Sequence, residues 1–278
     1  MDPKTIKENI KTVGQKHNYV KSDNPLISIY RHTIEYCCKQ KFNVYEPIKY
    51  DLTSQNFFIE NILDKIIPFD KPAIVLVENI DSFDMARNIN NVDSKVMVLN
   101  LASEVRSGGG VARGTRAQEE DLYRKSNYFE ANSQQLYPLQ LSEVIYSPLV
   151  YIIKDRTYKL LPMSHPVSCL AVAALKNPKL KKIENDCQIY KYDEDYQIME
   201  RKIDMIFKVA ILHGHTNIVL GALGCGVYHN PPLLVAQMFK NSVMKYGRYF
   251  KKIGFAILSG AQNTNFDIFK NVITGITI

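Results

Sequence analysis

A chain of 278 residues with 46% hydrophobic and 23% charged content is sized and composed for one large α/β domain or two small ones in a soluble globular protein. Its apolar runs are too short to span a bilayer, and its polar N-terminus, which includes acids, fits neither a secretory signal nor a transit peptide. A net charge of +7 suits a polyanionic partner or simply a solvated basic surface, and no zinc-finger spacing or RNA-binding aromatic signature accompanies it.

Residues 1–23 read as an arm, mobile or weakly helical. From Pro25, Ile27, Tyr30, Ile34 and Cys37 recur at helical spacing, and residues 55–66 suggest a second helix. Ala73–Val77 (AIVLV) is a short continuous apolar run, read as a buried strand. Ser82–Ile89 reads as a helix capped by Ser82, Val96–Leu101 as a strand and Ala117–Ser126 as a helix. Val144–Ile153 is strand-like with Pro148 interrupting it. Val167–Val172 is a strand, or the opening of a helix through Ala173 and Leu175. Asp195–Leu212 is helical and ends at Gly214, Asn217–Leu220 is a strand, Leu233–Tyr246 a helix and Ile253–Leu258 the last strand. Strands alternating with helices argue for an α/β layer fold.

Six of the thirteen glycines fall in two places, each just after a predicted strand: Gly108, Gly109 and Gly110, then Gly221, Gly224 and Gly226. Glycine lets a ligand approach the main chain, and open α/β sheets bind ligands beyond the carboxyl ends of their strands. Two such loops make one cleft with two walls, with backbone N–H groups available to an anion. No Lys-Ser/Thr follows at P-loop spacing, and Pro231-Pro232 separates GALGCG from the next helix, against a dinucleotide fingerprint. A phosphate-containing ligand remains.

Seven residues after Gly110 come Gln118, Glu119 and Glu120, in what reads as the first turn of a helix. Acids there offset the helix dipole by about 0.3–1 kcal/mol each. Following GGG, they also stand beside any molecule in the cleft, where one carboxylate orients hydroxyls and the other donates a proton. General acid catalysis is worth about 10²–10⁴-fold, and a glycosidic bond, with its oxocarbenium-like transition state, is its natural target. Sequence neighbours cannot readily flank a bond, so the ligand's own phosphates are candidates for the second function.

The pattern of three glycines, six to eight residues and QEE resembles the microbial-type poly(ADP-ribose) glycohydrolases, relatives of the macrodomains. VENIDSFDMA (Val77–Ala86), VLNLAS (Val98–Ser103), VIYSPLVYIIKD (Val144–Asp155) and IVLGALGCGVYHNPP (Ile218–Pro232) resemble family segments in order, and YRHTIEYCCKQKFNVY (Tyr30–Tyr45) resembles the N-terminal accessory region. The resemblance implies a three-layer α/β/α macrodomain-like fold with a mixed sheet. Residues 1–70 would be the arm and accessory helices, and residues 71–278 the catalytic domain. It implies hydrolysis of the ribose–ribose O-glycosidic bond of poly(ADP-ribose) from the chain end, releasing ADP-ribose, without metal or cofactor. Glu120 matches the catalytic acid and Glu119 its neighbour that positions the terminal ribose. Gly108–Gly110 match the catalytic loop and Gly224, Cys225, Gly226, Val227 and Tyr228 the diphosphate loop, with Ser103 and Gln118 also at the ligand. The implied partner is poly(ADP-ribose) or an ADP-ribosylated protein inside the cell, with no membrane and no nucleic acid required.

Three positions depart from the family pattern. Leu101 stands in NLAS where NFAS is usual, Ser107 replaces the proline before GGG, and Tyr228 replaces a phenylalanine, adding a hydroxyl that needs a partner. Ser107 and Tyr228 motivate a competing reading, an ADP-ribose reader without turnover, and a third reading is a hydrolase of mono-ADP-ribosyl conjugates. Elsewhere, His213 and His215 read as capping or surface residues rather than metal ligands. Cys225 reads as a small packing residue, Cys37-Cys38 as partly core and His229 as a loop surface residue. Five cysteines, an odd count without CxxC, fit a reducing compartment and offer no zinc site.

Overall fold

The computed structural model describes residues 24–51, 53–54, 56–63, 65–91, 94–183, 187–260 and 264–276, so the expected arm over 1–23 lies outside the described residues. The elements, in order, are α1 (Pro25–Gln40), β1 (Ile48–Asp51), α2 (Asn56–Leu63), β2 (Ile74–Glu78), α3 (Ser82–Ile89), β3 (Val96–Leu101), α4 (Gln118–Lys125), α5 (Tyr128–Ala131), β4 (Glu143–Lys154), β5 (Leu160–Val172), β6 (Leu180–Lys182), β7 (Gln188–Tyr190), α6 (Asp193–Leu212), β8 (Asn217–Leu220), α7 (Pro232–Tyr246), β9 (Lys252–Ala256) and α8 (Asn265–Ile273). Among the described residues no helix is long and apolar enough to cross a membrane.

Seven strands form one mixed sheet in the order β1-β4-β5-β3-β8-β9-β2. β5, β3, β8, β9 and β2 run parallel, and β4 runs antiparallel to both β5 and β1. The alternation of side chains along β3 sorts the sheet into two cores. Met97 and Leu99 join α2, α6, α7 and α8 on one face. Val96 and Val98 join Tyr30 and Ile34 of α1, Phe83 of α3 and Leu122 and Tyr123 of α4 on the other. The result is the expected three-layer α/β/α arrangement, with the ends of β3, β5 and β8 opening on one edge.

Ile27, Tyr30, Ile34 and Cys37 are all buried, and Asn24 starts α1 by accepting from the Leu26 N–H at 3.0 Å. β1 pairs with β4 in the main sheet, so residues 48–51 contribute one of its edges.

Several expectations are corrected. Ala73–Val77 is not a buried strand: β2 is the opposite sheet edge, and Ile74 is 58% exposed. Its apolar run reflects one face under α8 and an uncovered flank. Helix α3 is capped by Asp81 rather than Ser82, since the Asp81 carboxylate accepts from the N–H groups of Phe83 (2.9 Å) and Asp84 (3.2 Å). The helix suggested through Ala173 and Leu175 does not form, and β5 extends over thirteen residues to Val172. Pro148, lacking an N–H, sits in a register break between Ser147 and Val150, and β4 continues past it. His213 does cap α6, through its backbone N–H, but it is no free surface residue. Its ring stacks on Tyr146 with centroids 3.8 Å apart, and its Nε2 meets the Tyr50 hydroxyl at 2.8 Å. His215 is buried beside it, with Nε2 2.9 Å from the Tyr146 hydroxyl, and burial pushes its pKa down to about 3.

Candidate active site

The strand β3 delivers the chain to the site, and Gln118 fastens helix α4 to it. The Gln118 side chain accepts from the Leu101 N–H at 2.9 Å and donates to Leu99 O at 2.8 Å and Ser82 Oγ at 3.3 Å. Its amide thus acts as a short strand neighbour, and the next two residues are held at the strand's end.

Glu119 and Glu120 are both buried, 3% and 5% exposed, and their four oxygens are not equivalent. Glu119 Oε2 accepts from the Ser103 N–H at 2.8 Å, and Oε1 from Asn100 Nδ2 at 3.2 Å and the Gly108 N–H at 3.3 Å. Glu120 Oε1 accepts from the Gly110 N–H at 2.8 Å. Glu120 Oε2 is buried and has no partner among the described residues. Burial raises the Glu119 carboxyl to about 8, with the Glu120 charge adding to the rise and the bonds from Ser103, Asn100 and Gly108 opposing it. The Glu119 carboxyl therefore keeps its proton near neutral pH.

The three glycines are explained by what surrounds them. A Cβ at Gly109 would stand 2.6 Å from Glu120 Oε1 and 2.9 Å from Glu119 Oε2, and the residue has φ +51°. One at Gly108, with φ +73°, would meet the Tyr123 ring at 2.7 Å. Main chain lies against the two carboxylates on one side and a buried aromatic on the other, and only glycine leaves the room.

Behind the loop, Ser107 is buried. Its Oγ is 2.6 Å from the Tyr123 hydroxyl and donates to Asn132 O at 2.7 Å, and its N–H donates to Gln134 Oε1 at 3.0 Å. Asn132 Nδ2 donates in turn to the hydroxyls of Tyr123 (2.8 Å) and Tyr137 (3.0 Å). On the far face of α4, Lys125, 1% exposed, lies 2.6 Å from the Asp81 carboxylate and 2.5 Å from that of Asp121. The carboxylate that caps α3 therefore also anchors α4.

The second glycine loop leaves β8, the strand beside β3. Gly224, with φ +73°, sits against Ala174 and Asn230. Asn230 holds the turn by donating to Leu175 O at 2.7 Å and accepting from the Tyr190 hydroxyl at 2.8 Å. Gly226 and Val227 are exposed, and their N–H groups meet no acceptor among the described residues. That suits an anion. Cys225 packs its side chain toward the core, and burial pushes its thiol up, away from nucleophilic chemistry. His229 is exposed, with Nδ1 2.7 Å from Asn177 Oδ1.

Tyr228 joins the two loops. Its hydroxyl donates to Glu104, whose other oxygen takes Lys176 at 3.0 Å, and the Lys176 ammonium lies 5.8 Å from the Tyr228 ring centre. Of the residues singled out in the sequence, Ser103, Gly108, Gly109, Gly110, Gln118, Glu119 and Glu120 form one bonded group. Tyr228 reaches that group through Glu104, and Gly224 to Val227 lie on the neighbouring strand's exit. Ser103 serves through its backbone, and its hydroxyl accepts from the Val105 N–H at 3.2 Å. Asn100, Glu104, Lys176 and Asn230 were not singled out. Glu104 had a signal, an acid between the strand and GGG, and Asn230 lies in the GALGCGVYHNPP segment, whereas Lys176 comes from a distant segment with no motif.

A buried Glu120 oxygen without a protein partner among the described residues, beside a second buried carboxyl, is equipped to meet a polar group of a ligand. A family model described as microbial-type PARG, catalytic domain, matches residues 7–155, which is 149 of 278 residues. A poly(ADP-ribose) glycohydrolase from Thermomonospora curvata is 22% identical with a TM-score of 0.70, covering 89% of this chain and 99% of its own. The same enzyme bound to the inhibitor ADP-HPD gives 22%, 0.68, 89% and 98% in the same terms. The poly(ADP-ribose) glycohydrolase of Deinococcus radiodurans in complex with ADP-ribose is 25% identical with a TM-score of 0.67, covering 82% of this chain and 94% of its own. Comparison with curated proteins gives no match.

Proposed function

The chain belongs to the family of microbial-type PARG catalytic domains, and from that premise we propose that it is a poly(ADP-ribose) glycohydrolase cutting the ribose–ribose O-glycosidic bond at the chain end. The observation that carries the reading is Glu120 Oε2, buried and without a protein partner among the described residues. A buried polar atom left open costs stability, and a leaving ribose oxygen would satisfy it.

In this reading Glu120 is the catalytic acid. Its proton passes from Oε2 to the departing ribose oxygen as the glycosidic bond breaks, and the carboxylate then accepts a proton from the attacking water. The Gly110 N–H holds Oε1 and sets which oxygen acts. Glu119, kept neutral by burial, hydrogen-bonds the terminal ribose without adding charge beside Glu120. The N–H groups of Gly226 and Val227 receive the diphosphate, whose charge lies near the developing oxocarbenium, and the Tyr228 ring packs against the reacting ribose. Residues 71–278 act as the catalytic domain, and 1–70 as an arm and accessory elements, of which β1 adds an edge to its sheet. Thr33 of α1 supports the reading by donating to Arg124 O of α4 at 2.5 Å, and Lys154 Nζ meets Thr33 at 2.7 Å. All five cysteines are free thiols, in keeping with an intracellular, reducing setting.

The test measures ADP-ribose release from poly(ADP-ribosyl)ated protein by the native chain and Glu120→Gln, with ADP-ribose binding measured on both. Release by the native chain alone, with binding by both, is the expected result. Binding by both with release by neither would overturn the reading and leave a reader of ADP-ribose.

A further inference from the structure

The exit of β5 opens on the same sheet edge as those of β3 and β8, and beyond it the chain folds into the hairpin β6–β7. Two bonds fix this hairpin to the diphosphate loop. The Asn177 N–H donates to Tyr228 O at 2.9 Å, and the Tyr190 hydroxyl donates to Asn230 at 2.8 Å. Leu180 and Tyr190 pair across the hairpin and turn inward, Tyr190 into the core. The alternate positions therefore face outward: Lys179, Lys181 and Lys191. All three are exposed. The Lys191 N–H donates to Lys179 O at 2.8 Å, so those two lysines stand opposite each other. Both reach toward one ring, that of Tyr192, at 5.9 and 5.7 Å from its centre.

Two ammonium groups gathered on one half-exposed tyrosine repel each other, and among the described residues neither pairs with an acid. The next acids along the chain, Asp193, Glu194 and Asp195, lie in the first turn of α6 and offset its dipole. A flat ring flanked by cations matches a chain that alternates an aromatic base with a diphosphate.

We propose that the outer face of this hairpin is a second polymer-binding surface, which holds an ADP-ribose unit other than the one being cleaved. Tyr192 stacks an adenine, and Lys179, Lys181 and Lys191 take the neighbouring diphosphate. The inference rests on the glycohydrolase reading above and extends it, because it makes the enzyme prefer long chains. The face is continuous with the active-site mouth through Asn177 and Tyr228, so one polymer reaches both.

The experiment compares the native chain with Tyr192→Ala and with the double variant Lys179→Ala/Lys191→Ala on long poly(ADP-ribose) and on a two-unit oligomer. Binding of the long polymer is measured on the same samples across a salt series. Removing the ring raises KM for the long polymer roughly tenfold, as expected for one lost base stack. Removing two phosphate-pairing lysines flattens the slope of log affinity against log salt by about 1.4. Both leave kcat and the two-unit KM as in the native chain. Equal KM for long polymer in all three proteins would overturn the proposal, as would displacement of polymer by single-stranded DNA of equal phosphate count at equal affinity. A native chain that binds long polymer through these residues and releases nothing would sink the glycohydrolase reading and uphold this one. Release without length preference would do the reverse.

Discussion

The Tyr228 hydroxyl donates to Glu104 across the gap between the two glycine loops, so a residue leaving β8 is tied to one leaving β3. Tyr228→Phe removes that tie and keeps the ring. The expected result is a stability loss of about 1 kcal/mol, since the bond is charge-assisted but half exposed, and a kcat within about threefold of native. Thermal unfolding and steady-state kinetics measure both. A kcat lowered more than about tenfold would show that the hydroxyl itself acts on substrate.

Gly109→Ala should cut turnover sharply with only modest loss of stability. The new methyl meets Glu120 Oε1 at 2.6 Å and Glu119 Oε2 at 2.9 Å, and the positive φ adds about 1–2 kcal/mol. Displacing the carboxylates lowers kcat by about 10²-fold or more. Native-like activity in a folded Gly109→Ala protein would mean that this pair does not carry the chemistry.

Ser107→Pro, which restores the residue common in the family, should destabilise this chain by about 2–4 kcal/mol. It removes the donor to Gln134 and strands the buried Asn132 carbonyl. Ser107→Ala keeps the N–H and should cost about half as much. Denaturant unfolding of the two side by side checks the order, and equal stabilities would show that the network is dispensable.

Glu119 sets a pH dependence. Its carboxyl is raised from 4.5 to about 8 by burial, so between those values the folded chain holds a proton that the unfolded chain has released. The stability linked to it is full below about pH 4.5, falls as pH rises and is gone once pH passes about 8. Glu119→Gln has no such proton to lose. The native melting temperature should therefore drop relative to the variant from pH 4.5 to 8 and run parallel above. Parallel curves throughout would mean that Glu119 is ionised across the range.

Lys125→Met should cost about 3–5 kcal/mol by leaving Asp81 and Asp121 without their shared cation. Chemical denaturation tests it, and a loss under about 1 kcal/mol would show that the two aspartates find other partners.

Much of this molecule is legible in its sequence. Local spacing is enough for α1 and α6, where Tyr30 and Ile203 recur with their apolar neighbours at helical spacing, and an apolar run is enough for β3. The glycine loops are legible because GGG and GALGCG follow apolar strands. Sheet order is not. Ala73–Val77 reads as buried, yet its place at the edge depends on β9 pairing with it from far along the chain. Short elements escape for a related reason: β1, β6, β7 and α8 are held by pairing or packing rather than by pattern. Asp81 and Ser82 both favour caps, and only the fold decides between neighbours. The residue pattern puts Glu104 between the strand and GGG but not its partner, Tyr228, 124 positions later.

The bonds of Gln118 to Leu99 and Leu101 have a consequence for the segment that precedes it. Those bonds register α4 directly to the strand, and the Ser103 N–H and the bond from Asn100 hold Glu119 from the same strand. The stretch between Gly110 and Gln118 is itself built in: Val111 is buried in the core, the Gly114 N–H donates to Val111 O at 3.1 Å, and the Arg124 guanidinium donates to Thr115 O. A residue added or removed there has to be absorbed by that turn, while the bonds of Gln118 keep the start of α4 on the strand.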